Sequence, residues 1–149
     1  MIFPRNFSKN VYWTVVAGGK TALADGTYYP ASGSFVDVAG YDHVAIQIYM
    51  DLVGTPDFSV YQASAVDGTP KAITGAAKTD IVTGDDGKWF TIEFPVAALD
   101  TANGYHYITV LAAAGSSTDY ANISVLLYGA RETPVTQPAG YYAAVVLGG

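Results

Sequence analysis

The chain lacks cysteine and is poor in charge. None of its 149 residues is a cysteine, which excludes disulfide bonds, thiolate chemistry and cysteine-rich zinc sites. Only 13% of the residues are Asp, Glu, Lys or Arg, whereas a soluble domain of ordinary composition has about 25%. Apolar residues make up 50% of the chain. This imbalance predicts a surface that is partly covered by other protein chains.

Basic residues are scarce and unclustered. The chain has 7 Lys and Arg against 13 Asp and Glu, a net charge of −6, and only Lys88 and Arg131 are basic from Thr79 onward. Nucleic-acid binding needs clustered basic side chains, so the sequence argues against nucleic acids and anionic membranes as partners. No stretch approaches the roughly 20 apolar residues that span a bilayer. Residues 11–17 are interpreted as a first strand rather than a signal peptide, and a soluble protein is expected.

Alternating apolar residues predict an all-β protein. In residues 44–50, Val44, Ile46 and Ile48 alternate with Ala45 and Gln47, the period of a half-buried strand. Turn formers separate such runs, and seven or eight short strands in one domain (1–149) predict an antiparallel β-sandwich or jelly-roll-like barrel. Strands are predicted over residues 11–16, 34–38, 44–50, 58–63, 89–94, 105–111 and 122–127, with one helical turn over residues 95–100.

The two ends differ from this pattern. Residues 1–10 have neither helical nor strand periodicity and are interpreted as an N-terminal arm that docks by its apolar side chains. Residues 131–149 are interpreted as a C-terminal tail that closes on an apolar run, Tyr141 to Leu147. A run of this kind is either paired within the protomer, the commoner outcome, or added to the sheet edge of a neighbour.

The sequence contains no convincing catalytic or metal-binding motif. His43 and His106 are well separated and are interpreted as strand residues. The run Gly84 to Lys88 holds two acidic residues but lacks the EF-hand pattern, and residues 17–21 contain Gly-Lys-Thr without the earlier glycine of a P-loop. We therefore expect no enzyme activity, no cofactor and no metal site.

The many aromatic residues leave two kinds of partner open. With 12 Tyr and 2 Trp, the chain has the side chains that bind sugar rings, and the same side chains dominate protein interfaces. The sequence alone does not choose between a glycan and a protein. The candidates for glycan binding are Trp13, Tyr28, Tyr29, Tyr41 and Trp89.

Seven segments of the chain, each of low specificity by itself, follow one another in a fixed order of strands and turns. The segments are residues 6–8, 40–45, 60–69, 71–76, 91–94, 98–105 and 127–134. Together they cover about two-thirds of the chain, and they resemble a loose family of small structural proteins of tailed bacteriophages, some of which are capsid decoration or cement proteins. The chain departs from that pattern where Glu132 and Thr133 follow Arg131, and in its longer tail.

The resemblance implies a virion component without catalytic activity. We expect a homotrimer on the exterior of a phage capsid, made in the host cytoplasm, that stabilises the head by binding the major capsid protein at subunit junctions. A phage tail or connector component and a carbohydrate-binding β-sandwich module are the alternatives.

Both terminal segments are assigned roles in this hypothesis. In the N-terminal arm, apolar anchors and basic residues that pair with acidic capsid groups are expected to bind the capsid. In the C-terminal tail, aromatic and β-branched side chains are expected to form the trimer interface. The predicted residues are Ile2, Phe3, Arg5, Phe7 and Lys9 for the capsid, and Tyr141, Tyr142, Val145 and Val146 for the trimer.

Overall fold

Two antiparallel sheets make up the described part of the chain. The computed structural model describes residues 11–51, 54–113, 119–132 and 135–138. No helix in these residues is long and apolar enough to cross a membrane. The strands are β1 (Tyr12–Ala22), β2 (Thr27–Tyr29), β3 (Val36–Asp37), β4 (His43–Asp51), β5 (Asp57–Ala63), β6 (Lys71–Lys78), β7 (Trp89–Pro95), β8 (Tyr107–Ala113) and β9 (Tyr120–Tyr128), and short 3₁₀ turns lie at Thr83–Asp85, Val96–Ala98 and Thr101–Asn103.

The strand order is that of a jelly roll. One sheet has four strands in the order β1-β9-β4-β7, and the other has the order β2-β8-β5-β6 with β3 also on β8. Because β2 and β3 pair with successive stretches of β8, they share one strand position. The first position then pairs with the last, the second with the seventh, the third with the sixth and the fourth with the fifth, which is a long hairpin rolled into two sheets. The predicted all-β fold is confirmed.

Alternating side chains of the central strands fill the space between the sheets. In β4, Val44, Ile46 and Ile48 are fully buried, and β9 and β8 contribute inward-facing residues in the same way. The rings of Phe58 on β5 and Phe90 on β7 lie 5.6 Å apart and join the two sheets. This two-sided packing is what the period-two patterns predict.

A close backbone approach holds the end of β9 against the β3–β4 turn. Gly129 has a φ of 68°, and a Cβ atom there would lie 2.7 Å from the Cβ of Asp42, so only glycine fits. The Asp42 amide donates to the carbonyl of Tyr128 at 3.1 Å, and the Arg131 amide donates to the carbonyl of Gly40 at 2.9 Å. The start of the C-terminal segment is therefore fixed beside this turn.

Three elements differ from the sequence prediction. Strands β2 and β6 were not predicted, and the strand expected over 34–38 is reduced to Val36–Asp37. The helical turn expected over 95–100 is present as the 3₁₀ turn Val96–Ala98, directly after Pro95. Strand β2 is short because Pro30 follows it and has no N–H to continue the ladder.

Candidate functional site

The outer face of the four-stranded sheet presents a broad, charge-poor surface. Cross-strand registers place its side chains in rows that run from β1 through β9 and β4 to β7. One such row contains Val15, Ser124, Gln47 and Thr91. The outer face comprises Trp13, Val15, His43, Ala45, Gln47, Tyr49, Asp51, Trp89, Thr91, Glu93, Pro95, Tyr120, Asn122, Ser124, Leu126 and Tyr128.

Tyr and Trp occupy five of the sixteen positions of this outer face. Among its described positions only Asp51 and Glu93 are acidic, and none is Lys or Arg. Trp13 and Trp89, at opposite edges, are 38% and 59% exposed. The ring of Trp89 lies 5.1 Å from that of Tyr49, a cross-strand pairing that keeps the indole in place. Exposed apolar surface with little charge is typical of an interaction surface.

A groove separates the two sheets on one side of the sandwich, which we call the open side. Its walls are the edge strand β1 and the edge formed by β2 and β3, and its volume is about 570 Å³. Tyr12 and Tyr28 line it, and the ring of Tyr28 contacts those of Phe35 and Tyr61 at 6.5 Å and 5.4 Å. Burial raises the pKa of both Tyr12 and Tyr28, so these hydroxyls stay protonated at neutral pH. The groove is mainly aromatic and β-branched.

Lysine and carboxylate pairs occupy the opposite side, where the edge strands β6 and β7 contact each other; we call it the closed side. Lys71, at the start of β6, bonds the Asp100 carboxylate at 2.6 Å and lies 3.9 Å from the centre of the Tyr105 ring. Lys78, at the end of β6, pairs with Asp80. The lysine partners are the main cause that lowers the pKa of Asp100 and of Asp80.

A polar cleft of about 420 Å³ lies at one end of the sandwich. The β3–β4 turn contributes Tyr41 and Asp42, the segment before β8 contributes His106, and Arg131 follows β9. His106 Nδ1 lies 2.9 Å from the carboxylate of Asp37. Burial, with smaller effects of Tyr12 and Asp37, raises the pKa of Tyr41. An aromatic ring among acidic and basic groups in a cleft of this size suits a small polar ligand.

Both predicted terminal sites lie outside the described residues. These are the capsid-binding residues Ile2, Phe3, Arg5, Phe7 and Lys9, and the trimer-interface residues Tyr141, Tyr142, Val145 and Val146. The structure does show where the two segments begin. The side-chain amide of Gln137 accepts a hydrogen bond from the Trp13 amide at 3.0 Å and donates one to the Val11 carbonyl. Arm and tail therefore start from the same corner of the sandwich.

The five aromatic residues proposed for glycan binding do not form one site. Trp13 and Trp89 lie on opposite edges of the outer face. Tyr28 and Tyr29 line the groove, and Tyr41 lines the cleft, where its ring lies 6.1 Å from that of Tyr12. A platform built from all five is thus excluded by the fold.

The weaker sequence motifs have structural roles. Residues 17–21 lie within β1, where Thr21 Oγ1 donates to the Gly18 carbonyl at 2.8 Å. In the 84–88 turn, the Asp85 carboxylate accepts a hydrogen bond from the Val82 amide at 3.1 Å and pairs with Lys88. Among the residues that the structure describes, no three His, Asp or Glu side chains are grouped so that they could hold a metal ion.

Two contacts were not foreseen from the sequence. The Asp119 side chain is fully buried and accepts a hydrogen bond from the Gly54 amide at 2.7 Å, which joins two loops at the end opposite the cleft. Gln137 bonds the edge of β1 across 124 positions of sequence. No local sequence pattern around Asp119 or Gln137 predicts its partner, because both contacts depend on the strand order.

Among solved structures, the chain is similar to three proteins of phage or viral origin at low identity. The SPBc2 prophage-derived protein YomS is 12% identical with a TM-score of 0.49, over 80% of this chain and 93% of that one. Infectious bursal disease virus VP2, in its subviral particle, is 16% identical with a TM-score of 0.46, over 83% of this chain and 33% of that one. The Tobacco streak virus coat protein is 9% identical with a TM-score of 0.39, over 97% and 99%. At these scores none of them indicates what this chain binds.

No protein-family model matches the chain, and no curated protein matches it either.

Proposed function

We propose that the protein is a structural component of a phage virion and that it acts as a capsid decoration or cement protein. In this proposal it is a homotrimer on the capsid exterior, binds the major capsid protein at subunit junctions and catalyses no reaction. The observation that carries the proposal is the outer face of the four-stranded sheet, a broad surface with little charge and an exposed tryptophan at each edge. Such a surface is stable in water only where another protein covers it or where it is small.

Two further features support the proposal. The strand order is a jelly roll, an architecture used by viral capsid proteins as well as by lectins and cupins, so it is compatible with the role without selecting it. The charge-poor composition suits a protein whose surface is shared among identical copies and a lattice, since symmetric assemblies repeat the same patch on each protomer. The N-terminal arm supplies the proposed capsid contacts, and the side of the C-terminal tail that faces away from its own protomer supplies the proposed trimer contacts.

Binding to capsids tests the outer face directly. Purified protein is mixed with capsids that lack it, from the phage that encodes the chain, and co-sedimentation is measured over a concentration series. Trp89→Asp should weaken binding by at least about 30-fold, because a buried interface tryptophan contributes about 2 kcal/mol or more. Val66→Asp is the matched control, because Val66 is 39% exposed but lies in the turn between β5 and β6, which belong to the other sheet. Equal binding by both variants would contradict the assignment of this face.

Two measurements address the oligomer and its location. Light scattering over a concentration series should give the mass of a trimer, and a monomer at every concentration would remove the trimer from the proposal. Immunogold labelling of virions should mark the head surface. Label on the tail or at the neck would replace the decoration role by that of a tail or connector component.

A second candidate function is glycan binding at the polar cleft. The observation that favours it is the Tyr41 ring beside Asp42, His106 and Arg131 in a cleft of about 420 Å³, since sugars are held by an aromatic face and by polar groups around it. A glycan array with the intact protein should show binding that Tyr41→Ala abolishes and Tyr29→Ala leaves unchanged, because Tyr29 lies in the groove. An array without any bound glycan would eliminate this function.

A further inference from the structure

We propose that the C-terminal segment 141–147 of each protomer docks as an additional strand on the open edge of its own β1 and covers the groove. This inference goes beyond the virion role and holds whether or not the protein binds capsids. It assigns an acceptor site, the edge of β1 and the groove beside it, and a single occupant, the protomer's own tail.

Gln137 leads the chain to this edge. Its side-chain amide bonds the Val11 carbonyl and the Trp13 amide, which are the two groups that a neighbouring strand would engage on either side of Tyr12. The primary amide thus takes the place of one peptide group at the start of β1. Among the described residues, no strand pairs with this side of β1. Gln137 thus occupies the first hydrogen-bonding position of this edge, and the chain continues from there.

The remaining chain has the length and composition for the edge. Eleven residues follow Pro138, and at about 3.3 Å per residue they reach roughly 36 Å, the length of an 11-residue strand such as β1. Residues 141–147 carry no charge and are apolar at every position, which is typical of a strand covered on both faces. From Tyr12 to Gly19 the edge of β1 carries no charge, and Lys20 is the first charged residue along it. Extended segments add to uncharged strand edges by main-chain hydrogen bonds.

The groove offers matching chemistry. Tyr12, Val16, Tyr28 and Phe35 line it, and Asp37 is the one charged residue among its described lining residues. A strand on β1 would place every second side chain toward Tyr12 and Tyr29, which lie on the inner faces of the two edges. Because Gln137 belongs to the same chain as the edge it bonds, docking within the protomer needs no second molecule and is favoured by the high effective concentration of a short tether.

Engineered cysteines test the proposal, since the natural chain has none. Val15→Cys on the outer face of β1 is combined in turn with Ala139→Cys, Gly140→Cys, Tyr141→Cys and Tyr142→Cys, because a tail that continues along β1 from Gln137 beside Tyr12 brings these positions level with Val15. Disulfide formation is followed on non-reducing gels. A docked strand should crosslink within the monomer at positions of one parity at least ten-fold faster than at the other, because strand side chains alternate between faces. Thr91→Cys is the matched acceptor, in the same row at the far edge of the sheet, and should not crosslink.

The other outcomes overturn the proposal. Crosslinking without alternation, or equally with Thr91→Cys, would show a tail that does not dock on β1. An absence of crosslinks at all four positions would do the same. Disulfides formed between copies when the Val15→Cys and Tyr142→Cys single variants are mixed would show that tails are exchanged between protomers. If Val15→Cys lowers the Tm of the reduced protein, Trp13→Cys on the same face replaces it.

Discussion

The closed and open sides of the sandwich differ in how their edge strands are protected from pairing with other chains. On the closed side, Lys71 and Lys78 stand at the two ends of β6, and Pro95 ends β7. Lysine and proline at edge strands prevent pairing with other chains. On the open side, β1 has no charged residue from Tyr12 to Gly19, and the groove lies beside it. Lys20 and two irregularities in the pairing with β9 lie between Val15 and Thr21, so the start of β1 is the unprotected part of this edge. The contrast indicates that one side is protected from partners and the other is suited to receive one.

The sharpest way to break this comparison is to remove packing from each side in turn. Phe58→Ala deletes a fully buried ring that joins the sheets near the closed side and should lower the free energy of unfolding by about 3–5 kcal/mol. Tyr28→Ala, on the open side, removes edge contacts of a half-buried ring and should cost about 1 kcal/mol. Urea denaturation measures both.

An equal loss for the two variants would mean that the groove side is packed as tightly as the core. The distinction between a tightly packed closed side and an open side that can still bind a strand would then be wrong. An unchanged m-value is the check that neither variant alters the extent of unfolding.

The bond from Gln137 to β1 gives the second prediction. Gln137→Ala removes two hydrogen bonds at the start of the open edge and should lower stability by about 1 kcal/mol, because the site is partly exposed. Amide exchange at Trp13 should accelerate, and exchange at Ile46 in the central strand β4 should follow only the change in global stability. Thr136→Ala is the neighbouring control, and the hypothesis fails if it has the same local effect.

The central strands could be predicted from the sequence because their side chains alternate strictly. β4 and β9 are buried on one face, so Val44, Ile46 and Ile48 appear at every second position. β6 escaped prediction because Gly75, with a φ of 81°, interrupts the alternation, and its buried residues Ile73 and Ala76 are three apart. Edge strands with one neighbour tolerate such irregularity, and their patterns are correspondingly weak.

The candidate surfaces were only partly foreseeable. Low charge predicted a covered surface, but which face it lies on depends on registers such as Tyr49 opposite Trp89. Likewise, Gln137 meets Trp13 only because the chain returns to the corner where β1 begins. These juxtapositions follow from the strand order, which no local sequence pattern specifies.

A third prediction uses the opposite pH responses of the two sides. Burial raises the pKa of Tyr12, on the open side, and of its neighbour Tyr41, in the adjoining cleft, above that of an unfolded tyrosine. A raised pKa contributes stability that is fully present below the unfolded value and lost as pH rises through the folded value. Stability should therefore fall above about pH 10, and the double variant of Tyr12→Phe and Tyr41→Phe should show a smaller alkaline loss in thermal unfolding. An unchanged alkaline profile would show that these two hydroxyls are not responsible.

The smallest expected effect concerns the acid range and the closed side. Lys71 is the main cause of the lowered pKa of Asp100, whereas a hydrogen bond from the Val82 amide is the main cause for Asp85, with a lesser contribution from Lys88. Lys71→Met should raise the pKa of Asp100 toward its ordinary value, and Lys88→Met should leave the pKa of Asp85 low. NMR titration of the carboxyl carbons measures both.

The lowered pKa of Asp100 also determines how its pairing with Lys71 affects stability as the pH changes. A lowered carboxyl pKa contributes stability that is present above the unfolded value of about 4 and lost as pH falls through the folded value. The Tm difference between the natural protein and Lys71→Met should thus be small at pH 7 and vanish in acid, since Lys71 is exposed, Asp100 is partly exposed and solvent screens the pair. A difference that persists in acid would assign the effect of Lys71 to its contact with the Tyr105 ring, and the ion pair would then have no part in holding the closed side.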